Sequence, residues 1–156
     1  MFKKKAVSEL VSFSFVTLLI IFASTSAYVY SKSQLDANVN SLDRNRMQSY
    51  IKSFDAKIDK IISFENSTTS QEVTFRKGVL KFNGNQILYN SLIKFGDNST
   101  NCFNSLCYKG FGGSEVIFKN ITSPYVFASN LTLEPGGYII VLEHDKTNKE
   151  IKVTFR

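Results

Sequence analysis

This chain of 156 residues is poor in the residues that break helices and in those that build active sites. Its two prolines are Pro124 and Pro135, and its first glycine is Gly78, so no residue in the first half interrupts a helix by backbone chemistry. One histidine, His144, and two cysteines, Cys102 and Cys107, are too few ligands for a zinc centre. Charge is missing altogether from Leu10 to Ser31. About 20 apolar residues cross a bilayer as a helix, so this segment is expected to span a membrane. Lys3, Lys4 and Lys5 precede it, and by the positive-inside rule they hold the N-terminus in the cytoplasm and send everything after Ser31 outside.

The same lysines account for half of the formal charge of +6. Without them 16 basic residues face 13 acidic ones, spread evenly along the chain. No basic stripe remains, which argues against a nucleic-acid partner.

Beyond the apolar segment, Leu35, Val39, Leu42, Met47, Tyr50, Ile51, Phe54, Ile58, Ile61 and Ile62 recur mostly at steps of three and four. That period predicts a helix whose greasy half continues into an amphipathic half, on the order of 85 Å from Val7 to about Ser63 at ~1.5 Å per residue. The alternative is two helices with a bend near Ser31. The pattern breaks at Asn66, and from Glu72 the texture is β. EVTF, GVLKF, QILYNSLI, EVIF, YVFAS and LTL read as strands, with a hairpin at Asn83-Gly84-Asn85. The final stretch reads as strand, Pro-Gly-Gly turn, strand, Lys-Thr-Asn-Lys turn, strand. The fold class is therefore α+β: a long N-terminal helix packed on a C-terminal antiparallel sheet or small β-sandwich of roughly five to seven strands. Phe54, Ile58, Ile61, Ile62 and Phe64 are the expected helix contribution to the core.

Cys102 and Cys107 lie in a Ser/Asn-rich stretch of the part expected outside, and one local disulfide is the simplest reading, with free thiols or intermolecular pairing as alternatives. Four sequons, at Asn66, Asn98, Asn120 and Asn130, all follow the membrane segment and make surface glycosylation an expectation. His144 stands between Glu143 and Asp145, but consecutive strand residues point to opposite faces, so the three are not expected to converge. Gly110, Gly112 and Gly113 read as a turn; the phosphate-binding fingerprint needs a strand before it and a helix after it. No set of nucleophile, base and oxyanion donors can be assembled, so neither an enzyme nor a cofactor is expected.

Glu9 is harder to place, because a carboxylate at the mouth of an apolar helix must be hydrated or paired. A secretory signal with cleavage after Ala27 accommodates the lysines but not Glu9, and its apolar run leads into a patterned helix. Lys4-Lys5-Ala6-Val7-Ser8-Glu9-Leu10 followed by a hydrophobic helix resembles the start of archaeal type IV pilins and pilin-like proteins, over about the first thirty residues. The departure from the usual pattern is Val11-Ser12-Phe13-Ser14-Phe15, where small aliphatic residues are common.

The resemblance implies a class III leader over residues 1–6 and cleavage after Ala6 or Lys5, at the junction of Lys4, Lys5, Ala6 and Val7, by a prepilin-peptidase-type protease. A retained helix over 7–31 would then serve as membrane or filament core, followed by an amphipathic helix over 32–65 and an extracellular β-rich domain over 66–156. Partners would be other pilin subunits, in a homo- or hetero-polymer, and the location a membrane-anchored precursor that ends in a cell-surface filament. Under it Glu9 sets register in assembly, pairing with the new α-amino group. The blander reading puts Glu9 in the headgroup layer or at a helix N-terminus, where negative charge gains ~0.3–1 kcal/mol. An anchored adhesion module that does not polymerise is the alternative function.

Overall fold

A computed structural model of the protein describes residues 2–64, 67–94, 100–103, 106–111, 114–121 and 124–156, with residues 2–10 and 92–94 by backbone alone. The chain divides into two units, Met1–Asn38 and Val39–Arg156. The order of elements is one helix, α1 (Phe2–Ile62), then strands β1 (Thr68–Phe75), β2 (Val79–Asn83), β3 (Gln86–Lys94), β4 (Thr100–Phe103), β5 (Leu106–Phe111), β6 (Ser114–Asn120), β7 (Val126–Phe127), β8 (Leu131–Leu133), β9 (Gly136–Asp145) and β10 (Glu150–Phe155). The absence of Pro and Gly has the expected effect: α1 is helical throughout, with no interruption at Ser31. The α+β class holds, with more strands than the sequence suggests.

Within the second unit the strands form two sheets, of order β1-β9-β10-β7 and β4-β5-β6-β3-β2-β8. All pairings are antiparallel except the short β7 against β10. Their inner faces meet in one core, with Val73, Phe75, Ile140, Leu142, Ile151 and Val153 from the first sheet and Leu80, Phe82, Ile87, Tyr89, Leu106 and Ile117 from the second. The stretch of α1 in this unit adds Met47, Ile51, Phe54, Ile58 and Ile61, all at most 2% exposed. Their alternating steps of four and three hold one stripe of the helix against the core. Ring edges lock the layers together: Phe82 meets Phe54 at 5.4 Å and Phe127 at 5.3 Å, both T-shaped. Of the expected helix residues, Ile62 packs half-buried against the core, and one differs: Phe64, just past the end of α1, is exposed. The stripe ends with the helix, so the residue after it no longer faces inward.

Polar contacts fix how α1 lies on this domain. The Asp43 carboxylate, 1% exposed, accepts the backbone N–H groups of Arg76 at 2.8 Å and Lys77 at 3.0 Å. Further along, Lys57 Nζ donates to the Ser70 carbonyl at 2.5 Å. Between these contacts the helix advances about 21 Å at ~1.5 Å per residue, and the strand runs back about 20 Å at ~3.3 Å per residue. The amphipathic half of α1 therefore runs antiparallel along β1, the outer strand of its sheet.

The hairpins refine the sequence reading. Asn83 pairs with Gln86, so the turn consists of Gly84 and Asn85, and Gly84 at φ 56° takes the first central position that only glycine fills easily. The Ser/Asn-rich stretch contains the β4–β5 hairpin, in which Cys102 stands directly opposite Cys107. Gly110, expected in a turn, lies in β5 opposite Glu115, while Gly112 and Gly113 are outside the described residues.

Candidate functional site

From Val11 to Asn38 every residue of α1 is exposed, including Phe13 at 74% and Phe22 at 73%. Apolar surface this continuous is not stable in water and has to be covered by lipid or protein. The helix holds a stretch long and apolar enough to cross a membrane. Its hydroxyls are compatible with that setting, because Thr17 Oγ1 donates to the Phe13 carbonyl at 2.9 Å and Thr25 Oγ1 to that of Ile21 at 2.8 Å. These donors are satisfied within their own helix, so Thr17 is not a free donor to a neighbouring helix.

The backbone at Lys4, Lys5, Ala6, Val7 and Glu9 is part of α1, while their side chains lie outside the described residues. The expected sequons at Asn66 and Asn98 lie outside them too. Asn130 is exposed just before β8, and Asn120 is exposed at the end of β6 with its Oδ1 accepting from Gln86 Nε2 at 2.8 Å. Cys102 and Cys107 are joined as expected, by a disulfide within one chain. Replacing both by serine is expected to lower stability by about 2 kcal/mol, the chain-entropy value for a loop this short. The rest of the domain should keep its circular-dichroism spectrum; a serine pair that unfolds the whole domain would show that the core depends on this bond to hold Leu106 in place.

His144 and its acidic neighbours do not converge. The imidazole is 2% exposed, its Nδ1 lies 3.1 Å from the Phe64 carbonyl, and its ring meets Tyr125 edge-on at 5.3 Å. Nδ1 is therefore the protonated nitrogen, because a carbonyl can only accept. Glu143 is exposed on the opposite face of β9. Asp145 holds the following turn, where its Oδ1 accepts the N–H groups of Thr147 and Asn148. The Asn148 backbone bond, helped by Lys152, draws the Asp145 carboxyl below its usual range. Its support of the turn is present above the ordinary carboxylate pKa and is lost as pH falls through the lowered one. Among the described residues no group of three His, Cys, Asp or Glu could hold a metal.

Sequence reasoning missed the polar anchor of the domain. Arg44 grips Glu115 with two bonds, Nε to Oε2 at 2.6 Å and a terminal guanidinium nitrogen to Oε1 at 2.7 Å, and stacks 5.5 Å over the Tyr108 ring. The Glu115 side chain is only 2% exposed. Its hydrogen bond raises the Arg44 pKa further, against the opposing effect of burial. The available signal was phase: Glu115 shares a strand face with Ile117, so a charge was due to be buried there and to need a partner. Nearby, the buried Tyr89 hydroxyl donates to the Lys77 carbonyl at 2.6 Å, and burial, seconded by Asp43, pushes its pKa well up. Gly78 makes this corner possible, since at φ 86° a Cβ would come within 2.5 Å of the Asn90 carbonyl oxygen.

A second feature was also missed. On the outer face of the six-stranded sheet, Gln86, Leu88, Lys109, Phe111, Val116 and Phe118 line a groove of about 350 Å³. The exposed apolar helix and the β-domain define a class by architecture: an α+β protein in which one long helix, apolar enough at its N-terminal end to cross a membrane, packs at its other end on a two-sheet domain. The chain matches no protein-family model, no curated protein and no solved structure.

Proposed function

We propose that this chain is a non-catalytic structural subunit, a pilin-like protein of a type IV pilus-like surface filament. Its N-terminal helix would pack in the filament core and its β domain would be displayed outside. The observation that carries this reading is the uninterrupted exposed surface of α1 from Val11 to Asn38, in a helix that continues to Ile62 as part of a folded domain's core. A cleavable secretory signal has no need to be one helix with the domain it exports. The partners are other pilin subunits and a prepilin-peptidase-type protease, and the precursor is membrane-anchored with its domain outside, glycosylated at Asn130.

The test is the N-terminal residue of the protein recovered from cells, together with the Glu9→Ala variant. Val7 or Ala6 at the N-terminus is expected, with filaments, or incorporation into a partner's filaments, lost in the variant while the domain stays folded. An intact Met1 and an indifferent Glu9→Ala would instead leave an anchored adhesion module. A start near Tyr28 would mark a secreted domain.

A further inference from the structure

Within the six-stranded sheet β6 is an inner strand, paired with β5 on one side and β3 on the other. Asn120 closes this strand opposite Gln86, and it is exposed. Its carboxamide oxygen accepts from Gln86 Nε2 at 2.8 Å, a bond that a substituent on the amide nitrogen leaves intact. The next residue is the opposite case. Ile121 is 4% exposed, belongs to the core, and donates its backbone N–H to the Asn85 carbonyl at 2.8 Å. The sequon Asn120-Ile121-Thr122 therefore has its acceptor outside and its middle residue anchored inside. Asn130-Leu131-Thr132 is built differently, since it enters β8, an edge strand of three residues whose neighbour is β2.

We infer that Asn120 accepts a glycan only while the domain is unfolded, and carries it on the outer surface once the domain has closed. In N-glycosylation the side-chain amide displaces the phosphate of a lipid-linked oligosaccharide. The bond from Nδ2 to the sugar C1 forms, the C1–O bond to phosphate breaks, Nδ2 gives up a proton and the lipid phosphate leaves. A transferase has to hold the asparagine together with the hydroxyl two residues on, so the peptide through Ile121 must come away from the protein. In the finished domain that withdraws a core side chain and breaks both the bond to Asn85 and the pairing with Gln86. Such a change requires the domain to open. The product, by contrast, fits the closed domain, because Asn120 is exposed and its bond from Gln86 uses the oxygen. The inference rests on the exterior placement proposed above, which brings the chain to the transferase, and adds an order of steps: transfer first, folding second.

The test takes the full-length chain from cells that lack the transferase and incubates it with membranes that hold the transferase and its lipid-linked oligosaccharide. Glycopeptide mass spectrometry reads Asn120 and Asn130 separately. Folded wild type should stay bare at Asn120, whereas the chain carrying Arg44→Ala and Phe82→Ala, followed by circular dichroism, should be modified there about tenfold more. Phe82→Leu should match wild type, so that occupancy at Asn120 tracks the unfolded fraction and not the substitution. Folded wild type modified at Asn120 as readily as the unfolded chain would overturn the order of steps. So would an unfolded chain bare at Asn120, whether or not Asn130 is filled, and neither result touches the filament reading. Wild type made in cells that have the transferase should carry the sugar at Asn120; a chain filled at Asn130 alone would show folding ahead of transfer and overturn the inference. If that chain is bare at both sequons while the unfolded chain accepts the sugar in the incubation, the order of steps stands and the exterior placement falls.

Discussion

Arg44→Ala is expected to destabilise the β domain by about 3 kcal/mol, because it strips a two-bond cationic partner from a buried carboxylate. The figure sits at the low end for a broken buried pair, since the Arg44 side chain is 32% exposed and water can enter the space it leaves. Arg44→Lys should recover only part of the loss, because an ammonium cannot supply two parallel bonds in one plane or stack on Tyr108. The discriminating variant is Arg44→Met with Glu115→Leu. Removing both charges should restore most of the stability, whereas Arg44→Met alone should not. Denaturant unfolding of the full chain in detergent reads all three, followed by circular dichroism or tyrosine emission because the chain has no tryptophan. A single Arg44→Ala variant within 0.5 kcal/mol of wild type, the range of ordinary surface changes, would mean that Glu115 is not held by this pair.

A larger effect, about 4 kcal/mol, is expected from Phe82→Ala. Phe82 is fully buried and its ring stands edge-on to both Phe54 of the helix and Phe127 of the other sheet. Its removal leaves a cavity where three layers meet, and rings on two sides lose their partner. Against a domain stability of ~5–15 kcal/mol, that is enough to leave an appreciable unfolded fraction. Phe82→Leu, which refills most of the volume, should cost about 1.5 kcal/mol or less. Equal losses in the two variants would place the contribution in aromatic geometry and not in volume.

These two variants fall on opposite sides of what the sequence makes legible. The helix stripe ending in Phe54, Ile58 and Ile61 can be read from spacing alone, and so can the β9–β10 hairpin, because periodicity is a local property. The Arg44–Glu115 pair joins positions far apart in sequence, and no local pattern says which cation a buried carboxylate will meet. The groove is hidden for the same reason: its lining comes from alternate residues of β3, β5 and β6, each unremarkable in its own strand. The β4–β5 hairpin was obscured differently. Its Ser and Asn content signals a loop, yet Cys102 and Cys107 fix two short strands across from each other.

The order of strands also bears on how the chain acquires its structure. β1 opens the sheet region, but its neighbour in the sheet is β9, so Glu72 waits for Ile139 and Val73 for Tyr138. The helix stripe meets the same constraint, since Ile140, Leu142, Ile151 and Val153 complete the core around it. Contacts this distant in sequence slow folding and postpone it until nearly all of the chain is available. During synthesis the apolar helix is therefore made well before the surface that covers its amphipathic end, and the stripe from Met47 to Ile61 stays open to other partners in the interval. A chain stopped before β10 would lack the outer support of β9 and the last residues of the core, and would remain in that unfinished state while keeping every residue of its helix.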